Sequence, residues 1–335
     1  MKTDREVKSF QARESGESDG GDAAIRAVLL FGPTGAGKTE LVRRVLATNP
    51  RLARSLEVVS ADSRQIYRGM DIGTAKPSRE ELAAVPHHLI DLIEPSCSFD
   101  VGQFVRSCDD LCREIHRRGR VALVTGGTAF YLQAFLCGLP EAPPSSGEVR
   151  LELSRRVQQE GLAPLREELL RVDPESASRI GENDAYRIVR ALEVYRLSGR
   201  PRSSFREPRE IRQGLSVQVA GLTRDRQELY RRINRRVQAM MEAGLPGEVE
   251  GLLRSGFGGD DPGFRTIGYR EFLEVSATPP WSGEELALIQ ERIARNTRHY
   301  ARRQELFFRR LPRVRWLQAD DVRGFEALLL GALPS

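Results

Sequence analysis

Lysine is nearly missing from this chain of 335 residues: only four of its 52 basic residues are lysine, and the other 48 are arginine. So strong a skew reflects coding preference, so the net charge of +5 does not by itself imply a polyanionic partner. Only the places where arginines cluster carry information, and the lysines that persist, Lys38 and Lys76, stand out. Cysteine is equally scarce. Cys97, Cys108, Cys112 and Cys137 form no C-x-x-C pair and no metal spacing. That excludes a zinc ribbon or a disulfide framework and leaves free thiols, with Cys108 and Cys112 packed one helical turn apart. No apolar run approaches the ~18 residues of a membrane helix. Residues 1–24 are polar and lack the apolar core of a signal peptide, so a disordered tail and a cytoplasmic protein are expected. Hydrophobic content of 40% and charged content of 30% are those of a globular chain.

What is present begins with Gly32-Pro33-Thr34-Gly35-Ala36-Gly37-Lys38-Thr39, which meets G-x-x-x-x-G-K-[ST] at every fixed position. The apolar run Arg26–Phe31 precedes it, and Leu41, Val42, Val45 and Leu46 follow at helical spacing. Strand, glycine loop and helix are the context in which this motif binds a di- or triphosphate. The glycines let successive N–H groups face phosphate oxygens, and the helix start adds partial positive charge. Lys38 adds a full charge, and Thr39 offers a hydroxyl to Mg²⁺. Whose phosphate is bound stays open at this point.

A second strand, Leu56–Ser60, runs into Asp62, on the edge where doubly wound sheets bind ligands. There Asp62 serves as a turn cap, as a Mg²⁺ partner through water, or as a general base. The stretch Tyr67–Pro77, with two glycines, a proline and Lys76, reads as an ordered functional loop. Pro86–Asp91 is a short strand whose His87 and His88 lack a third ligand, so no metal is assigned to them. The strand Val121–Thr125 ends in Gly126-Gly127-Thr128, a second turn suited to phosphate or substrate. A hydrolytic nucleotidase would end that strand in an acid, and no Asn-Lys-x-Asp for guanine occurs. Both absences disfavour a motor driven by ATP or GTP.

Pro140, Pro143 and Pro144 with Ser145-Ser146-Gly147 mark a boundary. Helical periodicity fills 148–197, and the alternating segment Leu215–Leu222 returns as a strand. The expected fold is α/β: a P-loop NTPase-like parallel sheet core over 25–142 and 207–335, a helical insertion domain over 143–206, and a helical C-terminal region. Taking about 100° per residue from Leu229, Met240, Ile233 and Val237 fall at about 20°, 40° and 80°, a buried stripe. Arg231 and Arg235 face away, Arg232 lies at the stripe's edge, and Arg236 at about 340° lies inside it. An inward arginine needs an anionic partner, here a bound phosphate or a structural salt bridge. Between 295 and 315, eight arginines and the aromatics Tyr300, Phe307 and Phe308 stand against one acid, Glu305, a nucleic-acid footprint.

Together these segments resemble the bacterial tRNA dimethylallyltransferases, also called isopentenyl pyrophosphate transferases. The resemblance is carried by Gly32–Thr39, Ser60–Tyr67, Gly69–Pro77, Gly126–Thr128, Arg187-x-x-Arg190-Ala191-Leu192-Glu193-Val194, Ile267–Arg270 and Thr297-Arg298-x-Tyr300-Ala301-x-Arg303-Gln304. It implies transfer of a dimethylallyl group from dimethylallyl pyrophosphate to N6 of the adenosine 3′ of the anticodon, in tRNAs reading codons that begin with U. By the same resemblance Asp62 is the base, Arg236 contacts the pyrophosphate, and Gly32, Pro33, Thr34, Gly35, Ala36, Gly37, Lys38 and Thr39 hold the donor with Mg²⁺ on Thr39. Contacts to tRNA are expected from Asp62, Ser63, Arg64 and Gln65, from Thr128 and Arg150, from Tyr186, Arg187, Ile188, Val189 and Arg190, and from Arg265, Thr266, Ile267, Gly268, Tyr269 and Arg270. A cytoplasmic monomer acting on the anticodon stem-loop is implied. Ala129-Phe130 and Leu306-Phe307 depart from the family's usual Gly-Leu and Thr-Trp. Three alternatives differ in what they require: an isopentenyltransferase for free adenine nucleotide, a small-molecule kinase, and a non-catalytic RNA-binding protein.

Overall fold

The computed structural model describes residues 25–276 and 278–333; the expected tail, 1–24, lies outside the described residues. The chain forms two compact units, one up to Leu136 and again from Ile211, the other Cys137–Glu210.

The first unit is built on six parallel strands in the order β3-β2-β4-β1-β5-β6. These are β1 Ile25–Phe31, β2 Leu56–Ser60, β3 His87–His88, β4 Val121–Gly126, β5 Leu215–Thr223 and β6 Arg315–Gln318. Strand β1 sits between β4 and β5, with Leu30 in register with Thr125 and Ala220. Its run is buried almost throughout because both faces of a parallel sheet are covered. One face packs Val28 and Leu30 with Leu41, Val45, Leu123 and Phe325. Two strand expectations change. Only His87–His88 of the 86–91 segment pairs with β2, at Val58 and Val59. The C-terminal region is not wholly helical, since β6 extends the sheet beyond β5. Trp316 of β6 crosses the Phe31 ring at 5.7 Å.

Parallel strands end at one edge, so the turns after β1, β2 and β4 are brought together. Helix α1, Lys38–Thr48, opens at the first of these turns. Two further helices frame that edge, α2 Arg226–Glu242 after β5 and α3 Gly283–Phe308 before β6. Ser282 and Glu285 form a reciprocal capping box that fixes the start of α3. Where the chain leaves and re-enters this unit, Arg212 donates to the Phe135 carbonyl at 2.8 Å and to Asp109 Oδ2 at 2.7 Å. Its backbone N–H also donates to the Leu136 carbonyl.

Residues 67–77 form a strut. Lys76 Nζ donates to the Tyr67 carbonyl and to Asp71, both at 2.6 Å, and to Asp91. Glu248 accepts from the N–H groups of Asp71, Ile72 and Gly73 at 2.8–3.2 Å and from the Tyr269 hydroxyl at 2.6 Å. A Cβ on Gly73 would stand 2.5 Å from the Tyr269 ring.

The second unit holds helices Gly147–Glu160, Ala163–Val172, Pro174–Arg179 and Ala185–Ser198 around Leu153, Leu165, Leu169, Ile188 and Leu192. Glu193, fully buried there, accepts from Ser145 Oγ, the Ser146 N–H and Arg190 at 2.6–2.7 Å.

Because four donors converge on one carboxylate, Glu248→Ala is expected to destabilise the chain by about 2–4 kcal/mol. Urea unfolding checks this, and an unchanged midpoint would contradict it.

Candidate active site

The turn after β1 takes its shape from two glycines in left-handed backbone, Gly35 at φ 80° and Gly37 at φ 105°. Lys38 Nζ curls over the turn and donates to the carbonyls of Gly32 at 2.8 Å and Pro33 at 3.2 Å. From α3, the buried Gln304 accepts from the Thr34 N–H at 2.9 Å and donates to the Gly127 carbonyl at 2.5 Å. One amide therefore ties the turn after β1 to the turn after β4. The close approach is reserved by glycine, since a Cβ at 127 would meet Gln304 Nε2 at 2.7 Å. At Gly126 a Cβ would fall 2.1 Å from the Ala61 carbonyl oxygen, which brings the ends of β4 and β2 together. Thr128 Oγ1 completes the junction by accepting from the Ser63 N–H at 2.9 Å.

Over these turns lies a cleft of about 840 Å³, lined among others by Lys38, Thr39, Asp62, Arg236, Arg270 and Tyr300. Burial pulls the Lys38 ammonium down to about 8; nearby Asp62 opposes that shift and Arg236 adds to it. Burial likewise lowers the Arg236 guanidinium, with Asp62 again opposing. Arg236 has no ion pair or hydrogen bond among the described residues. The other carboxylates lining the cleft are committed elsewhere, Glu40 to Arg43 and Glu81 to the Ser78 cap. Asp62 Oδ1 accepts from the Arg64 N–H at 2.9 Å, a turn contact that orients the carboxylate. Burial and the Asp62 charge raise the Tyr300 phenol to about 12, so it stays protonated as a donor.

Thr39 and Asp62 are hard oxygen donors on this cleft, and no group of three His, Cys, Asp or Glu suited to a metal occurs among the described residues. Such a donor set fits Mg²⁺, which keeps waters and takes phosphate oxygens, and does not fit an ion caged by protein alone.

Of the residues expected to meet RNA, Ser63, Arg64, Gln65, Arg265, Thr266, Ile267 and Arg270 line the same cleft as Asp62. Gly268 and Tyr269 do not: Gly268 turns at φ 105° and Tyr269 is buried against Phe264 and Glu248. Within the second unit, Ile188 and Val189 are core side chains with nothing to offer a polyanion. Arg190 is held by Glu193 and the Pro143 carbonyl. Arg187 is exposed beside Asp184, and Arg150 stacks over the exposed Tyr186 ring at 4.9 Å. Phe308, read with the aromatic footprint, packs on Phe31 at 4.7 Å and is core. Lys76 is fully occupied in the strut. Sequence reasoning quoted Gln304 within a motif but gave it no role, although a polar residue among the buried Ala301 and Phe308 of α3 carried the signal that exposed Arg236.

Residues 65–311 match the model of the family described as IPP transferase. A tRNA dimethylallyltransferase 2 of Geotalea uraniireducens is 42% identical over 304 residues, 90% of this chain and 94% of that protein. A tRNA dimethylallyltransferase of Geobacter sulfurreducens is 40% identical, covering 88% and 92%. The crystal structure of a tRNA isopentenylpyrophosphate transferase from Bacillus halodurans matches with a TM-score of 0.63 at 34% identity, over 92% of this chain and 97% of that one. A eukaryotic dimethylallyltransferase acting on tRNA shares the fold at 24% identity and a TM-score of 0.69, over 92% and 77%.

Lys38 holds an anion only while protonated. Donor kcat/KM is therefore expected to fall as pH rises through about 8. Lys38→Arg should remove that limb from the profile; a limb unchanged in the variant would assign it to another group.

Proposed function

The chain belongs to the IPP transferase family, and we propose that it transfers a dimethylallyl group from dimethylallyl pyrophosphate to tRNA. The acceptor in this proposal is N6 of the adenosine 3′-adjacent to the anticodon, in tRNAs reading codons that begin with U. The observation that carries the proposal is the pairing of Lys38 and Arg236, both shifted by burial, around Asp62 in one cleft.

The reaction is an alkylation. The N6 lone pair forms a bond to C1 of the allyl group, the C1–O bond breaks, and pyrophosphate leaves with that electron pair. The proton released from N6 passes to the Asp62 carboxylate. A positioned base of this kind contributes typically ~10²–10⁴-fold. Lys38 and Arg236 meet the charge that grows on the departing oxygens, and the N–H groups of the glycine turn add fixed dipoles. Thr39, with Asp62 through water, would hold Mg²⁺, which when bound neutralises diphosphate charge. No acid is needed after β4, because no water is activated for hydrolysis, and Thr125-Gly126-Gly127 stands there instead.

An adenine in the anticodon loop reaches a cleft only by leaving its stack, as in other enzymes that modify bases. The exposed Arg302 and Arg303 on α3, with Arg265 and Arg270 at the cleft, supply the charge such an RNA would meet. The enzyme is proposed to act as a monomer. Transfer to tRNA would put the enzyme in the cytoplasm. Neither free adenine nucleotide as acceptor nor small-molecule phosphotransfer accounts for relatives named for tRNA at 40–42% identity.

The test incubates the protein with labelled dimethylallyl pyrophosphate, Mg²⁺ and unmodified tRNA, with AMP and ATP as competing acceptors. Label is expected in tRNA; label in AMP alone would overturn the proposal. Asp62→Ala should abolish transfer while donor binding persists, and near-normal turnover would remove Asp62 as the base.

A further inference from the structure

Two arginines grip the glycine turn from outside the motif. Arg232, on α2, donates from Nε to the Gly35 carbonyl at 3.0 Å. Arg224, one residue beyond β5, donates from Nε to the Ala36 carbonyl at 3.0 Å. They therefore hold consecutive carbonyls, and their Nη2 atoms lie 3.3 Å (Arg224) and 3.6 Å (Arg232) from where a Gly37 Cβ would project. Neither forms a salt bridge among the described residues. Arg224 lies near Arg232, and Asp320 and Glu228 offset that repulsion only at a distance.

A trans peptide points its C=O and N–H in opposite directions. Holding the Ala36 carbonyl outward thus aims the Gly37 N–H the other way, and that N–H has no partner among the described residues. In the preceding peptide, Arg232 holds the Gly35 carbonyl while the Ala36 N–H closes back on the Pro33 carbonyl at 3.1 Å. Both ends of that plane are therefore fixed. A turn with two left-handed glycines has many alternative conformations, and these two contacts remove them before any ligand arrives.

We infer that Arg224 and Arg232 are positioning residues that preset the phosphate turn, Arg232 locking its first peptide and Arg224 aiming the Gly37 N–H at the anion. The inference rests on the assignment of this turn to the donor's diphosphate. Arg232 stands at the edge of its helical stripe, and Arg224 belongs to no motif, so neither is singled out by the glycine-lysine pattern itself.

The test compares the full-length chain with Arg224→Ala, Arg232→Ala and Arg224→Gln. Affinity for inorganic pyrophosphate with Mg²⁺ is read by calorimetry, and affinity for tRNA separately. Each alanine variant is expected to bind pyrophosphate about tenfold more weakly or worse, with tRNA affinity unchanged. Arg224→Gln keeps a donor for the Ala36 carbonyl without the charge and should recover most of the loss. Wild-type affinity in the alanine variants, a parallel loss of tRNA affinity, or a glutamine variant no better than alanine would each overturn it. Prenylation of tRNA by the wild-type chain is scored alongside. Its absence would count against the proposed function, while the pyrophosphate comparison would still decide the roles of the arginines.

Discussion

Keeping Lys38 and Arg236 charged inside one cleft is the constraint to which the surrounding structure answers. Burial disfavours both cations, and the Arg236 charge further disfavours that of Lys38, while Asp62 supplies the opposing attraction. Such a cleft is unfavourable alone and favourable around an anion. It has acquired its field in advance, so the field needs no reorganisation when negative charge develops there. In the proposed reaction the same carboxylate that steadies the cations takes the proton from N6. Asp62 thus links the electrostatics of the resting protein to those of the reaction.

Holding that arrangement is the work of the sheet edge and of two helices. Parallel pairing brings the ends of β1, β2 and β4 together, and absent side chains at Gly126 and Gly127 let them close up. Gln304 then bridges two of the turns from a position 270 residues away from Thr34 in sequence. Because Gln304 lies on α3, the helix with the arginine-rich face is bonded directly to the phosphate turn. The strut at 67–77 plays a quieter part: its lysine, its three N–H groups and Tyr269 are all spent on internal partners.

Local pattern made some of this legible. The glycine turn announces itself because its chemistry needs fixed residue types at fixed spacing, and Arg236 appears as a charge inside an apolar stripe. Long-range partnerships were not legible: nothing near Thr34 indicates Gln304, and nothing near Asp71 indicates Glu248. Scarcity misled at Lys76, because a retained lysine marks a requirement without saying that the requirement is structural. Motif-wide assignment misled at Ile188 and Val189, since a contiguous stretch on a helix necessarily includes buried positions. Strand β6 escaped notice because four residues with one buried side chain carry almost no periodic signal.

In the proposed reaction the half-buried guanidinium of Arg236 stabilises pyrophosphate as it departs, more than it holds the donor at rest. Single-turnover transfer to tRNA by Arg236→Ala, at saturating dimethylallyl pyrophosphate, tests this most directly. The chemical step is predicted to slow by about 10²–10³-fold, with a much smaller change in donor affinity. An unchanged rate constant, with any loss confined to donor binding or to folding, would contradict the account and return Arg236 to a structural role.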